Sequence, residues 1–418
     1  MKSVLSLMFL LPSIAVIGSK RLAAIVLFSG LIGYFATVKA AENEELAPEL
    51  ATPDPTLTLW DIPELEKAFI DPKPANRDDG IPVGELGVDG GNKDIIVKLA
   101  QEIADGKYGI FDSLLIAHKG KLLFESYYLH GRINQPHGQA SATKSYTSLA
   151  IGRAIQLGYL TMADLDKPLI SFLKNLDTSK LVDGAELITL HKAMSMRSGI
   201  RISEEQRKKF EKNPGKLKGQ GQVQVLLENS QPISLESQSF LYGGDPELVM
   251  QVLDAVVPGT AKDFIEKELL NKLGITNYAW QTNVSGLPEA GWRVKMTSRD
   301  MIKWGTLVMN RGKWNGEQLI PEEFIAKATH RIVSGIPDFE DIFFVGGNVS
   351  NAGYGYFWWQ SDMKAGNKSY FAASANGGGG QYIILIEELD LIVVTTGFDG
   401  ESNPIQLTAD RILPAFIQ

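Results

Sequence analysis

The chain has 418 residues, of which 44% are apolar and 22% charged, so a globular protein of one large or two packed domains is expected and disorder throughout is excluded. It contains no cysteine, which excludes disulfide bonds, cysteine-ligated metals and a cysteine nucleophile. The net charge of −8 argues against a nucleic-acid partner, because such proteins usually carry a basic excess.

Residues 1–40 have the pattern of a signal peptide. They contain no acidic residue, and two apolar stretches are separated by Lys20-Arg21. The second stretch, residues 22–38, is short for a membrane span, and small residues precede a possible cleavage point after Ala40. We therefore expect a periplasmic or secreted protein. The alternative is a segment that stays uncleaved and anchors the chain to the membrane.

The first half of the remaining chain predicts an arm, a hairpin and a helix. Residues 41–92 are rich in Pro, Gly and acidic residues and are expected to form an extended arm. The apolar spacing predicts a helix over residues 94–104, and two β-rich runs joined by Lys119-Gly120 predict a hairpin. A further helix is predicted to open at Ser141 and to end at Gly158.

The second half predicts a helical region followed by strands. Residues 160–311 read as mostly helical, with helices predicted over residues 245–257 and 261–273. Strands are predicted over residues 354–360, 369–374, 381–387 and 391–397, before a last helix over 403–416. Strands at both ends predict one α/β (α+β) domain over residues 93–418. Its sheet is expected to contain strands from both ends of this range. A helical subdomain is expected to be inserted over about residues 150–311.

Several common chemistries lack their motifs. None of the five histidines lies in a metal-binding spacing, and no G-x-S-x-G elbow is present. No glycine-rich phosphate loop follows a predicted strand. We therefore expect no metal and no organic cofactor.

The motif S-x-x-K remains as a candidate for nucleophilic catalysis. On a helix it places the serine hydroxyl one turn from the lysine amine, and a partly buried lysine has a lowered pKa and can act as the base. The motif occurs three times, at Ser141–Lys144, Ser171–Lys174 and Ser361–Lys364. Ser141 is favoured because it opens a helix after a small-residue approach. The alternative is that Ser141 only caps that helix.

Further segments carry a family resemblance. They follow the run Ser141-Ala142-Thr143-Lys144 and lie at residues 188–200, 296–316, 354–359 and 377–397. With these segments the chain resembles the serine β-lactamase-like hydrolases over about residues 94–418. The most similar branch is the class C-related one, which holds family VIII esterases, 6-aminohexanoate-oligomer hydrolases and D-aminopeptidases. The resemblance implies a β-lactamase/transpeptidase-like fold: an antiparallel sheet flanked by helices plus the inserted helical subdomain.

The resemblance also implies the catalytic residues. Ser141 would be the nucleophile, Lys144 its base, and Tyr242 a second base or proton relay between them. Gly244 stands where relatives often carry Asn or Ser, so one polar contact to the substrate or to the lysine is lost. The alternative for Tyr242 is an ordinary loop tyrosine.

The third family element is matched by Ala375-Asn376-Gly377, or by a shifted register of it. Asn376 and Gly377 would bind substrate, and the backbone N–H groups of Ser141 and Gly378 would form the oxyanion hole. Relatives carry a cation in this triplet that holds a substrate carboxylate, and this chain lacks it. Neutral substrates are therefore favoured. The alternative is that the four glycines at residues 377–380 form only a flexible hairpin.

Taken together, these residues predict an exported serine hydrolase that cleaves a small-molecule ester, amide or peptide-like substrate through an acyl-enzyme on Ser141. Two alternatives stay open: a penicillin-recognising enzyme of the β-lactamase or D-Ala-D-Ala peptidase type, and a binding homologue without catalysis. Contact with a membrane is expected only through an uncleaved N-terminal segment. The natural substrate and the oligomeric state are left open.

Overall fold

A nine-stranded antiparallel sheet forms the centre of the structure, a computed structural model in which residues 46–336 and 347–417 are described. The strands in chain order are β1 (Phe69–Asp71), β2 (Phe111–His118), β3 (Lys121–Tyr127), β4 (His137–Gly138), β5 (Ala279–Trp280), β6 (Val294–Met296), β7 (Lys313–Trp314), β8 (Glu317–Gln318), β9 (Val333–Ser334), β10 (Val349–Tyr354), β11 (Trp359–Ala365), β12 (Lys368–Gly377), β13 (Gln381–Ile386) and β14 (Leu391–Gly397). The large sheet has the order β1-β3-β2-β14-β13-β12-β11-β10-β9. Strands from both ends of the chain therefore meet in one sheet, as predicted.

The helices lie on both faces of this sheet. They are α1 (Lys93–Ala104), α2 (Thr143–Gln156), α3 (Leu190–Met194), α4 (Glu204–Glu211), α5 (Gly221–Asn229), α6 (Asp245–Val256), α7 (Ala261–Ile265), α8 (Ser298–Met309), α9 (Glu322–Thr329), α10 (Pro404–Leu407) and α11 (Leu413–Phe416). A π-helical turn follows α7 and another joins α10 to α11, so the helices predicted over residues 261–273 and 403–416 are helical but not uniformly α. α3 to α8 lie within residues 150–311, the range predicted for a helical subdomain, while α2 begins before this range and α9 lies after it.

One turn and one close helix–strand contact show why the sequence gives these elements. Lys119 and Gly120 both have positive φ values, 49° and 74°, as a two-residue hairpin requires, and they join β2 to β3. On α8, a methyl group at Gly305 would lie 2.9 Å from Ile392 in the sheet. Glycine therefore lets this helix approach the strands closely. α8 and α2 cover one face of the sheet, while α1 and the C-terminal helices cover the other.

The strand predicted over residues 354–360 is wrong. β10 ends at Tyr354 and β11 begins at Trp359, with a tight turn between them in which Phe357 has a φ of 61°. The N–H of Tyr356 donates to the carbonyl of Ala328, and that of Phe357 donates to the carbonyl of Met194. Because these N–H groups are bonded to other parts of the chain, they do not join the sheet, although the aromatic composition favours a strand.

The predicted N-terminal arm adds an edge strand to the sheet. Its segment β1 pairs with β3, and Leu50 exchanges two hydrogen bonds with the side chain of Asn134. Lys295 donates to the carbonyl of Leu57 at 2.6 Å. The described part of the arm is thus bonded to the main domain along its length. The predicted signal peptide lies outside the described residues, and no helix within them is both long and apolar enough to cross a membrane.

A buried ion cluster joins the arm to the sheet and to α8. Arg299, 3% exposed, donates to Asp79 of the arm at 2.6 Å and to Glu125 of β3 at 3.1 Å. Burial raises the pKa of Glu125 even though Arg299 opposes it. Burial alone would also raise the pKa of Asp79, but the hydrogen bond and charge of Arg299 hold it below its ordinary value. The guanidinium therefore compensates two acidic groups at once.

Arg299→Met should destabilise the fold by about 3–5 kcal/mol, because it leaves the carboxyl groups of Glu125 and Asp79 without a cation. Denaturant unfolding measures the change. Arg311→Met is the matched control, since Arg311 is exposed and bonded to two exposed acids, Glu322 and Glu387. It should change the unfolding free energy little. Equal losses in the two variants would contradict the account.

Candidate functional site

Ser141 lies in a short 3-10 turn, Ala140–Ala142, directly before α2. The sequence predicts that the helix opens at Ser141, but α2 begins at Thr143, and its N-cap residue is Ala142. Ala140 has a φ of 44°, a left-handed conformation that is strained for any residue with a Cβ. The residue directly before the serine therefore has a backbone conformation that a regular helix would not allow.

Contacts from several elements fix this turn. The side chain of Gln139 accepts a hydrogen bond from the hydroxyl of Tyr146 at 2.8 Å and donates to the carbonyl of His137 at 2.9 Å. Its backbone N–H donates to the carbonyl of Val294 in β6. Tyr146 in turn stacks on Trp304 of α8, with ring centroids 5.0 Å apart. The buried α2 and α8 thus hold the backbone that carries Ser141.

Lys144 contacts Ser141 directly. Its Nζ donates to Ser141 Oγ at 2.9 Å and to the carbonyl of Gly291 at 2.9 Å. The residue is 7% exposed, and this burial lowers the pKa of Lys144 from 10.5 to about 8, although the charges of Glu247 and Glu289 oppose the shift. Near pH 8 Lys144 is therefore neutral in about half of the molecules, and its neutral amine can take the serine proton.

Tyr242 completes a group of three polar side chains. Its hydroxyl is a hydrogen-bond partner of Ser141, and Lys144 Nζ lies 4.9 Å from the centre of its ring. Trp359 and Tyr354 pack around the ring with centroids 5.2 and 6.1 Å away. Burial of the hydroxyl raises the pKa of Tyr242, although the hydrogen bonds lower it and 38% of the residue's surface stays exposed. The structure thus brings the three predicted catalytic residues together.

Gly377 and Gly378 lie beside the Ser141 turn. A methyl group at Gly377, the last residue of β12, would lie 2.3 Å from the carbonyl oxygen of Gln139, so only glycine lets the strand approach this closely. Gly378 is exposed and begins the turn to β13. The backbone at the end of β12 is therefore next to the backbone of Ser141, where the oxyanion hole was predicted.

Asn376 is placed differently from its neighbours. It pairs with Tyr382, which packs on the α1 side of the sheet, whereas Ala375 packs on the α2 side. Because side chains alternate along a strand, the Asn376 amide points away from the Ser141 face. Both of its polar atoms are buried without a partner among the described residues. The structure thus does not bring this side chain together with Ser141.

The other two S-x-x-K motifs are not arranged in this way. Ser171 is exposed and donates to the carbonyl of Pro168 at 2.6 Å. Ser361 is buried in β11, and a spacing of three along a strand puts Lys364 on the opposite face. Of the three motifs, the first alone therefore pairs its hydroxyl with its amine.

Two acidic residues and one carbonyl group at this site were not predicted from the sequence. Glu247 lies on α6 and Glu289 lies before β6, and the charges of both raise the pKa of Lys144. Gly291 supplies the carbonyl that Lys144 binds. No sequence motif marks these positions. Within the described ranges, no group of three or more His, Asp or Glu side chains is placed to hold a metal ion.

Comparison with known proteins supports the same fold. A family model described as Beta-lactamase matches residues 109–410. A Bacillus anthracis protein provisionally named a 6-aminohexanoate-dimer hydrolase has a similar structure, with a TM-score of 0.56, 18% identity, and 84% of this chain and 88% of that chain covered. No curated protein sequence matches the chain.

Two further solved structures share the fold. The octameric penicillin-binding protein homologue from Pyrococcus abyssi gives a TM-score of 0.53 at 18% identity, covering 77% of this chain and 76% of that chain. A D-stereospecific amidohydrolase from Streptomyces sp. gives a TM-score of 0.53 at 14% identity, covering 75% of this chain and 98% of that chain. At these identities the likeness concerns the fold alone.

Ala140→Gly should stabilise the fold by about 1 kcal/mol, because glycine adopts a positive φ without the Cβ strain. Ala142→Gly is the matched control: Ala142 is buried, with a φ of −58°, and glycine there should destabilise the fold by about 1 kcal/mol. Thermal and denaturant unfolding measure both. If Ala140→Gly destabilises the fold as much as its control, the turn is not strained.

Proposed function

The chain belongs to the beta-lactamase family, and we propose that it cleaves carboxylic ester or amide bonds through an acyl-enzyme on Ser141. Membership of this family supports a serine hydrolase. The observation that carries the proposal is the 2.9 Å contact between Ser141 Oγ and the Nζ of Lys144, whose pKa is lowered to about 8 by burial. A serine is a weak nucleophile until a nearby base takes its proton.

The proposed reaction has two steps. In the first, Ser141 Oγ bonds to the substrate carbonyl carbon while its proton moves to Lys144 Nζ, with Tyr242 as a relay. The bond to the leaving alcohol or amine then breaks, and the leaving group takes a proton from this pair. In the second step, water adds to the acyl carbon and gives its proton to the pair, and Ser141 leaves with a proton restored.

The oxyanion of each tetrahedral intermediate would be bound by backbone N–H groups. Those of Ser141 and Gly378 are the candidates, because the end of β12 lies against the Ser141 turn. Gly377 contributes by letting the end of β12 approach the carbonyl of Gln139, two residues before Ser141. The proposed site uses the backbone here and not the side chain of Asn376, which lies on the other face of the sheet.

The proposed substrate carries no carboxylate group for the third motif to bind. Position 375, where relatives carry a cation that binds a substrate carboxylate, is Ala375, which is buried in the core. Its side chain cannot pair with a carboxylate. Small neutral esters or amides are therefore favoured over β-lactams and D-Ala-D-Ala peptides. On the pattern of residues 1–40, we also propose that the enzyme is exported to a periplasm or secreted.

A penicillin-recognising enzyme is the second candidate. Its support is the fold shared with the Pyrococcus abyssi penicillin-binding protein homologue, together with the family model. A third candidate, a binding homologue without turnover, rests on Ala375 and on Gly244 in the Tyr242 loop. The three candidates differ in which compounds acylate Ser141 and in whether the acyl group is released.

A fluorophosphonate probe should label the wild-type chain on Ser141 and fail to label Ser141→Ala. Ser171→Ala is the matched control, since Ser171 is an exposed S-x-x-K serine bonded only to a backbone carbonyl, and it should be labelled like the wild type. Lys144→Ala should slow labelling by about 10²–10⁴-fold, because the serine loses its base. Equal labelling of wild type and Ser141→Ala would refute the proposal.

Two substrates then separate the candidates. Hydrolysis of a short-chain p-nitrophenyl ester, lost in Lys144→Ala, supports the esterase or amidase. A covalent adduct with penicillin on Ser141, seen by intact mass, supports the second candidate instead. Probe labelling without release from any ester, amide or penicillin supports the binding homologue.

A further inference from the structure

Two carboxyl groups lie beside Lys144 that the proposed reaction does not use. Glu247 lies on α6 and is partly buried, while Glu289 lies just before β6 and is 6% exposed. Their carboxyl groups are hydrogen-bonded to each other. Two ionised carboxylates in contact repel strongly, which favours one shared proton over two negative charges, and such a proton belongs to the pair rather than to one residue.

Neutral groups complete the surroundings of this pair. The amide of Asn283 donates to the Glu247 carboxylate, as does the backbone N–H of Ala290. Neither Glu247 nor Glu289 forms a salt bridge with any residue in the described ranges. Burial, followed by the charge of Glu289, raises the pKa of Glu247 from 4.5 to about 8. At neutral pH the pair therefore carries one negative charge and no cation is bonded to it.

The segment 289–291 links this pair to Lys144. Its first residue supplies the Glu289 carboxyl, and the Ala290 N–H binds Glu247. On its other side, the carbonyl of Ala290 accepts from Thr147 of α2 at 2.8 Å, and the carbonyl of Gly291 accepts from Lys144 Nζ at 2.9 Å. The same three residues therefore bond to the carboxyl pair and to the helix that carries the lysine.

Other titratable groups lie on the elements around the pair. Lys144 approaches from α2, and Tyr242 lies in the loop before α6. The other acid at the start of α6, Asp245, is bonded to the N–H and hydroxyl of Ser198. The net charge beside Lys144 is thus set mainly by Glu247 and Glu289, the two charges that oppose the lowering of the Lys144 pKa.

We infer that Glu247 and Glu289 are positioning residues: they share one proton, hold the 289–291 segment against Lys144, and leave one negative charge that stabilises the Lys144 ammonium. The effect on catalysis rests on the proposed function, because that ammonium forms when Ser141 gives up its proton. Whether the two carboxyl groups share a proton does not depend on turnover. Two measurements therefore test it, one without and one with the reaction.

The first measurement is the pH dependence of stability in the wild type and in Glu247→Gln. A carboxyl whose pKa is raised on folding stabilises the fold below its ordinary pKa and loses that contribution as pH rises through the folded value. The denaturation midpoint of the wild type should therefore fall relative to that of Glu247→Gln between pH 4.5 and about 8. The amide of the variant does not titrate and imitates the shared proton at every pH.

Glu323→Gln is the control for this measurement, since Glu323 is exposed on α9 and its variant loses a charge far from the site. Its midpoint should run parallel to that of the wild type. Glu289→Gln should reproduce Glu247→Gln, and it decides the question if the first variant does not fold. Parallel curves for the wild type and for both pair variants would overturn the inference.

The second measurement is the pH profile of fluorophosphonate labelling at Ser141. The double variant Glu247→Gln, Glu289→Gln removes the negative charge, so Lys144 should become neutral at lower pH and the rising limb of the labelling rate should shift down by about one pH unit. A merely structural role would lower the rate without moving the limb, and that result would overturn the inference. If the wild type is not labelled at any pH, the proposed function fails, and the stability curves still decide the pair.

Discussion

Burial of the Lys144 amine beside Ser141 is the interaction on which the rest of the site depends. An ammonium group removed from water is disfavoured, so burial lowers the pKa of Lys144 to about 8 and makes its neutral form accessible. Its hydrogen-bond partners in the structure, Ser141 Oγ and the Gly291 carbonyl, are uncharged. A carboxylate bonded directly to the amine would have favoured the charged form. In our proposal the nearby carboxyl groups of Glu247 and Glu289 share one proton and keep one negative charge, and this charge moderates the effect of burial on the Lys144 pKa without cancelling it.

The fold brings four separate segments of the chain together around Ser141 and Lys144. The strained turn at Ala140 carries the serine, and Gln139, held by Tyr146, fixes that turn. β12 ends in a glycine that allows its backbone to touch the turn. The loop before α6 supplies Tyr242, and the 289–291 segment supplies the carbonyl for the lysine. Each segment comes from a different part of the chain, so the arrangement exists only in the folded protein.

The sequence predicts the parts of this arrangement that rest on local rules or on family motifs. The hairpin at Lys119-Gly120 follows from turn chemistry, and the sheet built from both ends follows from the order of strands and helices. The strand predicted over residues 354–360 fails because backbone contacts with distant residues bend the chain at Phe357. The contact between Glu247 and Glu289 could not be predicted, since it joins residues far apart in the chain that share no motif. The same holds for the orientation of Asn376, which depends on strand register.

The pKa of Lys144 in the folded protein tests the central claim most directly. NMR of the protein carrying ¹³C-labelled lysine side chains can follow each Cε resonance with pH, and the Lys144 resonance is the one absent from Lys144→Arg. Our account predicts a midpoint of about 8 for this resonance, well below the ordinary lysine pKa of 10.5. A midpoint near 10.5 for Lys144 would contradict the account, because the amine would then stay protonated and could not take the proton of Ser141.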